Sequence, residues 1–433
     1  MEALDLIFEQ YRKNPKVTTD TRAIAHGDIF FALKGANFDG NSFAKKAIEL
    51  GAALAVVDDP SIVGEGIVYV EDVLLALQEL ARMYRRSLEI PFIGLTGTNG
   101  KTTTKELIVA VLASKYKVAA TKGNLNHQIG VPLTILSIPS DAQIAVIEMG
   151  ANHPLDIDEL TSIAMPEFGL ITNVGMAHLE GFGSFEGVKK TKGELYDFVK
   201  RVNGTIFLNS NNAHLVQMAQ ERNISSLIVY GISEMGAEIL PKDLNHPFLR
   251  MNLGNGEMKG VTLETQLVGD YNADNVLAAV AVGLRFNVSV DQIKRALFDY
   301  EPTNNRSQLM RTSKNLVIVD CYNANPTSME AAITNFTKFN VSNKVAILGD
   351  MLELGAASAS EHAKLVRLAQ ELGVKNLMLV GSEFVAVAKE TDALLFENSN
   401  ELMKYLSTNP IEEALVLVKG SRGIKLENAL SLL

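Results

Sequence analysis

Phe92-Ile-Gly-Leu-Thr-Gly-Thr-Asn-Gly-Lys-Thr-Thr-Thr-Lys105 decides how this chain is read. Phe92 to Thr96 is a short apolar run of the kind that forms a buried strand. A turn with two glycines follows, and a helix is predicted from about Lys101 to Ser114. Gly97 and Gly100 let the backbone turn tightly and approach an anion. The helix start offers unpaired N–H groups and the positive end of its dipole to phosphates. Lys101 is placed to bridge outer phosphates and the Thr102 hydroxyl to bind Mg²⁺, with Thr98, Asn99 and Thr103 completing the cradle. The match to the common phosphate-loop pattern is incomplete, because Leu95 stands where its first glycine belongs. The plainer alternative is a glycine turn that happens to precede Lys-Thr.

Strands and helices alternate on both sides of this block, which predicts α/β domains with parallel sheets. The 433 residues suit three domains. Residues 1–90 form a small N-terminal α/β unit, with strands at Asp28–Leu33 and Ala53–Val57. A helix over Ser42–Leu50 stops at Gly51, and another spans Val73–Ser87 with Leu74, Leu75, Leu77, Leu80 and Ala81 inward. Residues 91–301, after Pro91, form the central phosphate-loop ATPase unit. Residues 302–433, from Pro302, form a Rossmann-like α/β unit. Its strands are Leu316–Asp320, Val345–Gly349, Leu377–Gly381 and Leu415–Lys419. One of its helices is capped by Ser360, turns Leu365, Val366, Leu368, Ala369 and Leu372 inward, and ends at Gly373.

Composition removes several function classes. Hydrophobic residues make up 47% and charged residues 21%, enough apolar material for several cores. Forty basic against fifty acidic residues leave a net charge of −10, a poor fit to general nucleic-acid binding. Aromatics are 6% and Trp is absent, which argues against a surface that stacks sugars or bases. The single cysteine, Cys321, excludes an internal disulfide and a cysteine metal cluster. The N-terminus is acidic rather than basic-then-apolar, and the most apolar stretch, Val276–Leu284, is too short to span a membrane. A cytoplasmic protein without membrane or nucleic-acid partner is expected, and no obligate protein partner is evident.

Further strand tips carry chemistry. Glu148 ends the run from Ile144, and a carboxylate there beside a phosphate-loop strand suits a second Mg²⁺ ligand or a water holder. Asn173-Val-Gly-Met-Ala-His178 opens from the next strand, and a neutral His178 imidazole is a possible ligand. Plain alternatives are a surface charge and a structural histidine. In the third unit, Asp320, Asp350, Ser382 and Ser421-Arg422 follow strand ends. Ligands bind along that edge in open α/β sheets, so Asn323, Asn325, Ser421 and Arg422 are expected to face one cleft. There a guanidinium suits a peptide carboxylate.

Thr96–Lys105, Val146-Ile-Glu-Met-Gly-Ala-Asn152, Ile171–Ser184 and Lys192-Gly-Glu-Leu-Tyr-Asp197 resemble the central domain of the Mur ligases, ATP-dependent enzymes of peptidoglycan precursor synthesis. Gly269–Asn275, Asp320–Pro326, Leu348–Gly355 and Lys419–Arg422 resemble the branch that joins D-alanyl-D-alanine to a UDP-N-acetylmuramoyl tripeptide. The resemblance implies ATP and Mg²⁺, an acyl-phosphate route, and metal ligation by Glu148, His178 and a carbamylated Lys192. Without the family, Lys192 reads as a solvated lysine. The resemblance also places Asn272 and Asn275 near adenine, though they could simply cap an apolar helix. It implies that Arg306 reaches ATP and that Asp320 holds the ribose. It puts Asp20, Thr21 and Arg22 on the UDP part, with Thr21 where Ser is usual. Asn124 and Asn126 belong to a substrate-facing loop in which His127 replaces the usual Asn. Alternatives are a Mur-like ligase adding a single amino acid, a folylpolyglutamate synthase, or a non-catalytic nucleotide switch. No Asp-Asn-Pro-Arg selecting motif occurs. A switch has no need of Lys192, His178 and Glu148 together with a third domain.

Overall fold

In the computed structural model, residues 3–35, 38–176, 179–303 and 305–433 are described, with the backbone alone at 179 and 180. His178 lies outside the described residues. Three parallel or mostly parallel sheets follow one another along the chain. The first has the order Val17–Thr18, Ile29–Phe31, Leu54–Val57, Ile67–Tyr69, all parallel.

The second sheet places the strand Phe92–Thr96 in its interior. Ile144–Glu148 pairs along one side of it and Phe168–Ile171 along the other, both parallel. Val118–Ala120 forms one edge beyond Ile144–Glu148; Thr205–Asn209 and Leu227–Tyr230 complete the opposite side. The register pairs Leu95 with Glu148 and Thr96 with Ile171, so three strand tips end side by side. The chain crosses over here, and such a crossover opens a crevice at the carboxyl edge. A small antiparallel sheet, Glu238–Ile239, Arg250–Leu253 and Val261–Glu264, follows.

The third sheet runs Gln308–Arg311, Leu316–Asp320, Leu415–Lys419, Lys344–Gly349, Asn376–Val380, Leu394–Phe396, with only the first strand antiparallel. Its interior strands Leu316–Asp320 and Leu415–Lys419 are apolar up to their last residues because helices cover both faces.

Two local expectations are corrected. Leu75 is 52% exposed; Val73, Ala76, Leu77, Leu80 and Ala81 make the buried stripe, and Asp72 caps that helix through the Leu75 N–H. Three- and four-residue steps from Leu77 reach 73, 80 and 81 but miss 75. Ser360 is not a cap: the helix begins at Ser358, and Ser360 donates back to the Ala357 carbonyl from within its first turn. Leu372 is also outward, at 36% exposure, and Gly373 with φ +75° does end the helix.

The helix Val73–Ser87 buries its stripe against the helices Gly130–Leu136 and Asp156–Ala164, so the first and second sheets share one apolar core. Arg85 fastens this junction. It is 5% exposed, donates to the Ala164, Met165 and Leu88 carbonyls at 2.8, 2.9 and 3.1 Å, and pairs with Glu167 at 2.6 Å. Its guanidinium lies 3.7 Å from the centre of the Phe92 ring. Arg85→Ala should therefore lower stability by about 2–4 kcal/mol, since buried carbonyls lose their donor. Arg85→Lys should recover only part of it, because a compact ammonium with three donors cannot span the four groups that the planar guanidinium reaches. Urea unfolding curves check both.

Candidate active site

The phosphate loop is shaped by its neighbours. The Thr98 N–H donates to the Asn173 carbonyl at 3.0 Å and the Asn99 N–H to Asn173 Oδ1 at 2.9 Å. Thr172 Oγ1 and Asn173 Nδ2 donate to the Asn99 carbonyl. Gly97 has φ +151°, and a side chain on it would collide with Thr172 Oγ1. Gly100 has φ +75°, and a Cβ there would meet Asn275 Oδ1 at 2.6 Å. The helix Lys101–Ala113 starts at this point, so the N–H groups of its first turn lack intrahelical partners and face the cleft. Lys101 Nζ donates to the loop's own Gly97 and Thr98 carbonyls, at 2.8 and 3.2 Å.

A cleft of about 790 Å³ opens over the loop, between the carboxyl edges of the second and third sheets. Of the residues singled out from the sequence, Thr98 to Thr103, Asn124, Asn126, Glu148, Asn272, Asn275, Arg306, Asp320 and Asn323 line it. Several do not. Gly97 and Lys192 lie beneath the surface. Ser421 is buried and accepts from the Leu352 N–H. Arg422 is exposed at the third sheet's edge, 5.3 Å from the Tyr322 ring centre. Asn325 is 4% exposed, and its amide is taken by Ser328 and Asn99. Asp20, Thr21 and Arg22 sit apart in a turn of the first unit, where Arg22 forks onto Asp20 and holds its carboxyl low, at about 2.

Glu148 is 1% exposed. Its Oε1 accepts from Asn126 Nδ2 at 2.8 Å and Thr102 Oγ1 at 3.2 Å, and its Oε2 is buried without a partner. A buried carboxylate oxygen left open beside a threonine hydroxyl and a phosphate cradle fits a divalent cation. Among the described residues no group of three or more His, Cys, Asp or Glu gathers into a metal cluster.

Three basic side chains converge on the same place, Lys101 and Arg306 lining the cleft and Lys192 beneath it. Burial pushes the Lys101 amine down, with Arg306 adding to this and Glu148 opposing it. Lys192, 2% exposed, is pushed well below the ordinary lysine value by burial first and by the Lys101 charge second. Arg306 lies 3.8 Å from the Tyr322 ring centre with a buried, unpartnered Nε. The pocket thus presents positive charge that wants an anion.

Asn272 and Asn275 are not helix caps by side chain. Asn272 Nδ2 donates to the Val268 carbonyl, Asn275 Nδ2 to Asn272 Oδ1, and Thr104 Oγ1 to Asn275 Oδ1. This chain pins the helix Ala273–Arg285 to the phosphate-loop helix.

Sequence reasoning missed the residues that hold the others. Lys419 is 2% exposed and pairs with Asp320 at 2.6 Å, because their strands run in register. Asp320 also accepts from the Ser307 N–H at 3.2 Å. A lysine ending an otherwise apolar strand, Leu415–Lys419, was the available signal. Lys105, 1% exposed, donates to the Thr121 carbonyl at 2.6 Å; the Glu148 N–H donates to Thr121 Oγ1 at 3.0 Å. Asn173 carried no signal beyond its place after a strand.

The chain matches the Mur ligase family catalytic domain over residues 16–87, the Mur ligase middle domain over 95–283 and the Mur ligase glutamate ligase domain over 305–422. It is 34% identical to the UDP-N-acetylmuramoyl-tripeptide–D-alanyl-D-alanine ligase of Bacillus subtilis, covering 95% of this chain and 91% of that one. A solved structure of MurF from Acinetobacter baumannii superposes with a TM-score of 0.87 at 30% identity, covering 96% of this chain and 92% of that one. MurF ligase from Thermotoga maritima in complex with ADP superposes at 0.86 with 26% identity, covering 96% of each chain.

Gly100→Ala should weaken ADP binding by about tenfold or more, since the left-handed turn and the Asn275 contact both resist a side chain. Calorimetric titration with ADP checks this, and nucleotide binding kept at the original strength would contradict the geometry.

Proposed function

This chain belongs to the Mur ligase family, and on that premise we propose that it joins D-alanyl-D-alanine to UDP-N-acetylmuramoyl-tripeptide at the expense of ATP. It is an ATP-dependent carboxylate–amine ligase of peptidoglycan precursor synthesis, and its product is the UDP-linked pentapeptide. The observation that supports this most is likeness running through all three sheets, at 34% identity over 95% of the chain, rather than through the ATP unit alone.

A carboxylate does not condense with an amine in water without activation. The tripeptide carboxylate takes the γ-phosphoryl group of ATP, and the dipeptide amine then displaces phosphate from the acyl phosphate. Lys101 and Arg306 offset the charge that spreads over the transferring group. Mg²⁺, held by Thr102 and Glu148, would supply further charge compensation there. Burial lowers the Lys192 pKa, which favours the neutral amine; that form can add CO₂, releasing a proton, to become an anionic oxygen ligand. In this reading Asn272, Asn275 and Asp320 hold the nucleoside. Asp20 to Arg22, with Asn124 and Asn126, hold the UDP-sugar peptide. Arg422 and Asn323 face the dipeptide carboxylate at the third sheet's edge, in the manner of bidentate anion recognition. The reaction takes place in the cytoplasm; no helix among the described residues is long and apolar enough to cross a membrane.

The test is a panel of donors and acceptors read by ADP release and product mass. Turnover should require the UDP-linked tripeptide together with D-alanyl-D-alanine. Turnover with a single amino acid and none with the dipeptide would replace this reading by an amino-acid-adding ligase. Lys192→Ala should lose most activity, about a hundredfold or more if a charged ligand to the reacting centre is lost. Short-chain carboxylic acids should restore part of it. Intact mass of active wild-type enzyme under CO₂ should show the added carbamate, and full activity with unmodified lysine would remove that assignment.

A further inference from the structure

The phosphate loop touches the third sheet's unit through a paired amide. Asn325 Nδ2 donates to Asn99 Oδ1 at 2.6 Å, with a longer return contact from Asn99 Nδ2 to Asn325 Oδ1 at 3.4 Å. Both partners are fixed from behind. Asn325 is the N-cap of the helix Pro326–Thr337: its Oδ1 accepts from the Ser328 N–H at 2.9 Å, and its own N–H donates to Ser328 Oγ at 3.1 Å. That capping bond decides the amide's orientation, since the oxygen must face Ser328 and the NH₂ must face Asn99. On the other side the Asn99 backbone is held by Asn173 and Thr172, so its side chain is the part free to reach outward. Asn325 is 4% exposed, which leaves no room for a substrate on that amide in this arrangement.

We propose that Asn325 is a positioning residue rather than a substrate contact: through Asn99 it makes the shape of the phosphate loop conditional on docking of the third unit. Asn99 is the residue before Gly100, where the loop turns left-handed into the helix whose N–H groups face the phosphates. A bond to its side chain from the acceptor-holding unit links nucleotide grip to acceptor readiness, and linkage of this kind is reciprocal. The assignment of the third unit to the dipeptide rests on the function proposed above; the loop contact itself does not.

Asn325→Ser and Asn99→Ala separate the possibilities. Serine caps a helix about as well as asparagine but is too short to reach Asn99. Asn99→Ala removes the partner and leaves the backbone clamp in place. Each single variant should lower kcat about three- to thirtyfold, the range of one or two lost hydrogen bonds. The melting midpoint should stay in place, and the double variant should be no worse than the poorer single one, because both break one contact. Losses that multiply in the double variant would overturn the proposal. So would a rise in the D-alanyl-D-alanine KM for Asn325→Ser with kcat intact, which would make Asn325 a direct substrate contact. Should the wild type use no D-alanyl-D-alanine, the acceptor assignment falls by itself. The same cycle is then read in the affinity for a non-hydrolysable ATP analogue, where multiplicative effects again count against the latch.

Discussion

Everything in the cleft depends on how the tip of one strand is stitched to its two neighbours. On one side, Asn173 and Thr172 hold the phosphate loop by four hydrogen bonds to its backbone. On the other, Thr96 Oγ1 donates to the Met149 carbonyl at 2.8 Å and the Met149 N–H to the Leu95 carbonyl at 2.7 Å. Parallel register alone puts the three tips level, but level tips do not make a cradle. The cradle appears because Gly97 has no side chain to hold Thr172 away. A sheet buried on both faces resists sliding, so the loop inherits the stiffness of the core beneath it.

That stiffness lets charges be placed where water would otherwise disperse them. Arg306 disfavours the charge on Lys101 and Lys101 disfavours charge on Lys192, with Glu148 set against the first repulsion and Glu194 against the second. Such a set is held against its own repulsion by the packing around it. It is preorganised for an anion, and the favourable energy appears only when the anion arrives.

Much of this was legible in the sequence, and the reasons differ by element. The strand Phe92–Thr96 and the helix after it were readable because an apolar run and a glycine turn fix backbone geometry locally. The strand Leu316–Asp320 was readable for the same reason, with the bounds observed. Helix faces were less so: Leu75 was misread because a run of leucines hides the three-four periodicity. The capping site of Ser358–Glu371 was misread because a serine two residues inside a helix start looks like a cap. Within the site, many of the residues that line the cleft announce themselves by type and place. Those that hold other residues, such as Lys419, Asn173 and Lys105, depend on neighbours far away in sequence. Asp320 meets Lys419 across 99 positions, which no local pattern encodes.

The third unit is tied to the second by unlike kinds of bond. At the other end of the helix that Asn325 caps, Asp270 binds Lys242 at 2.9 Å and Lys338 at 2.8 Å, with Lys242 also donating to Asn335. An ion pair weakens slowly with distance and tolerates turning, whereas an amide pair weakens steeply once its angle is lost. Separation of the two units would thus weaken the amide contact over the loop before the ionic one. Salt therefore acts on the Asp270 end of this junction, and shape on the amide end.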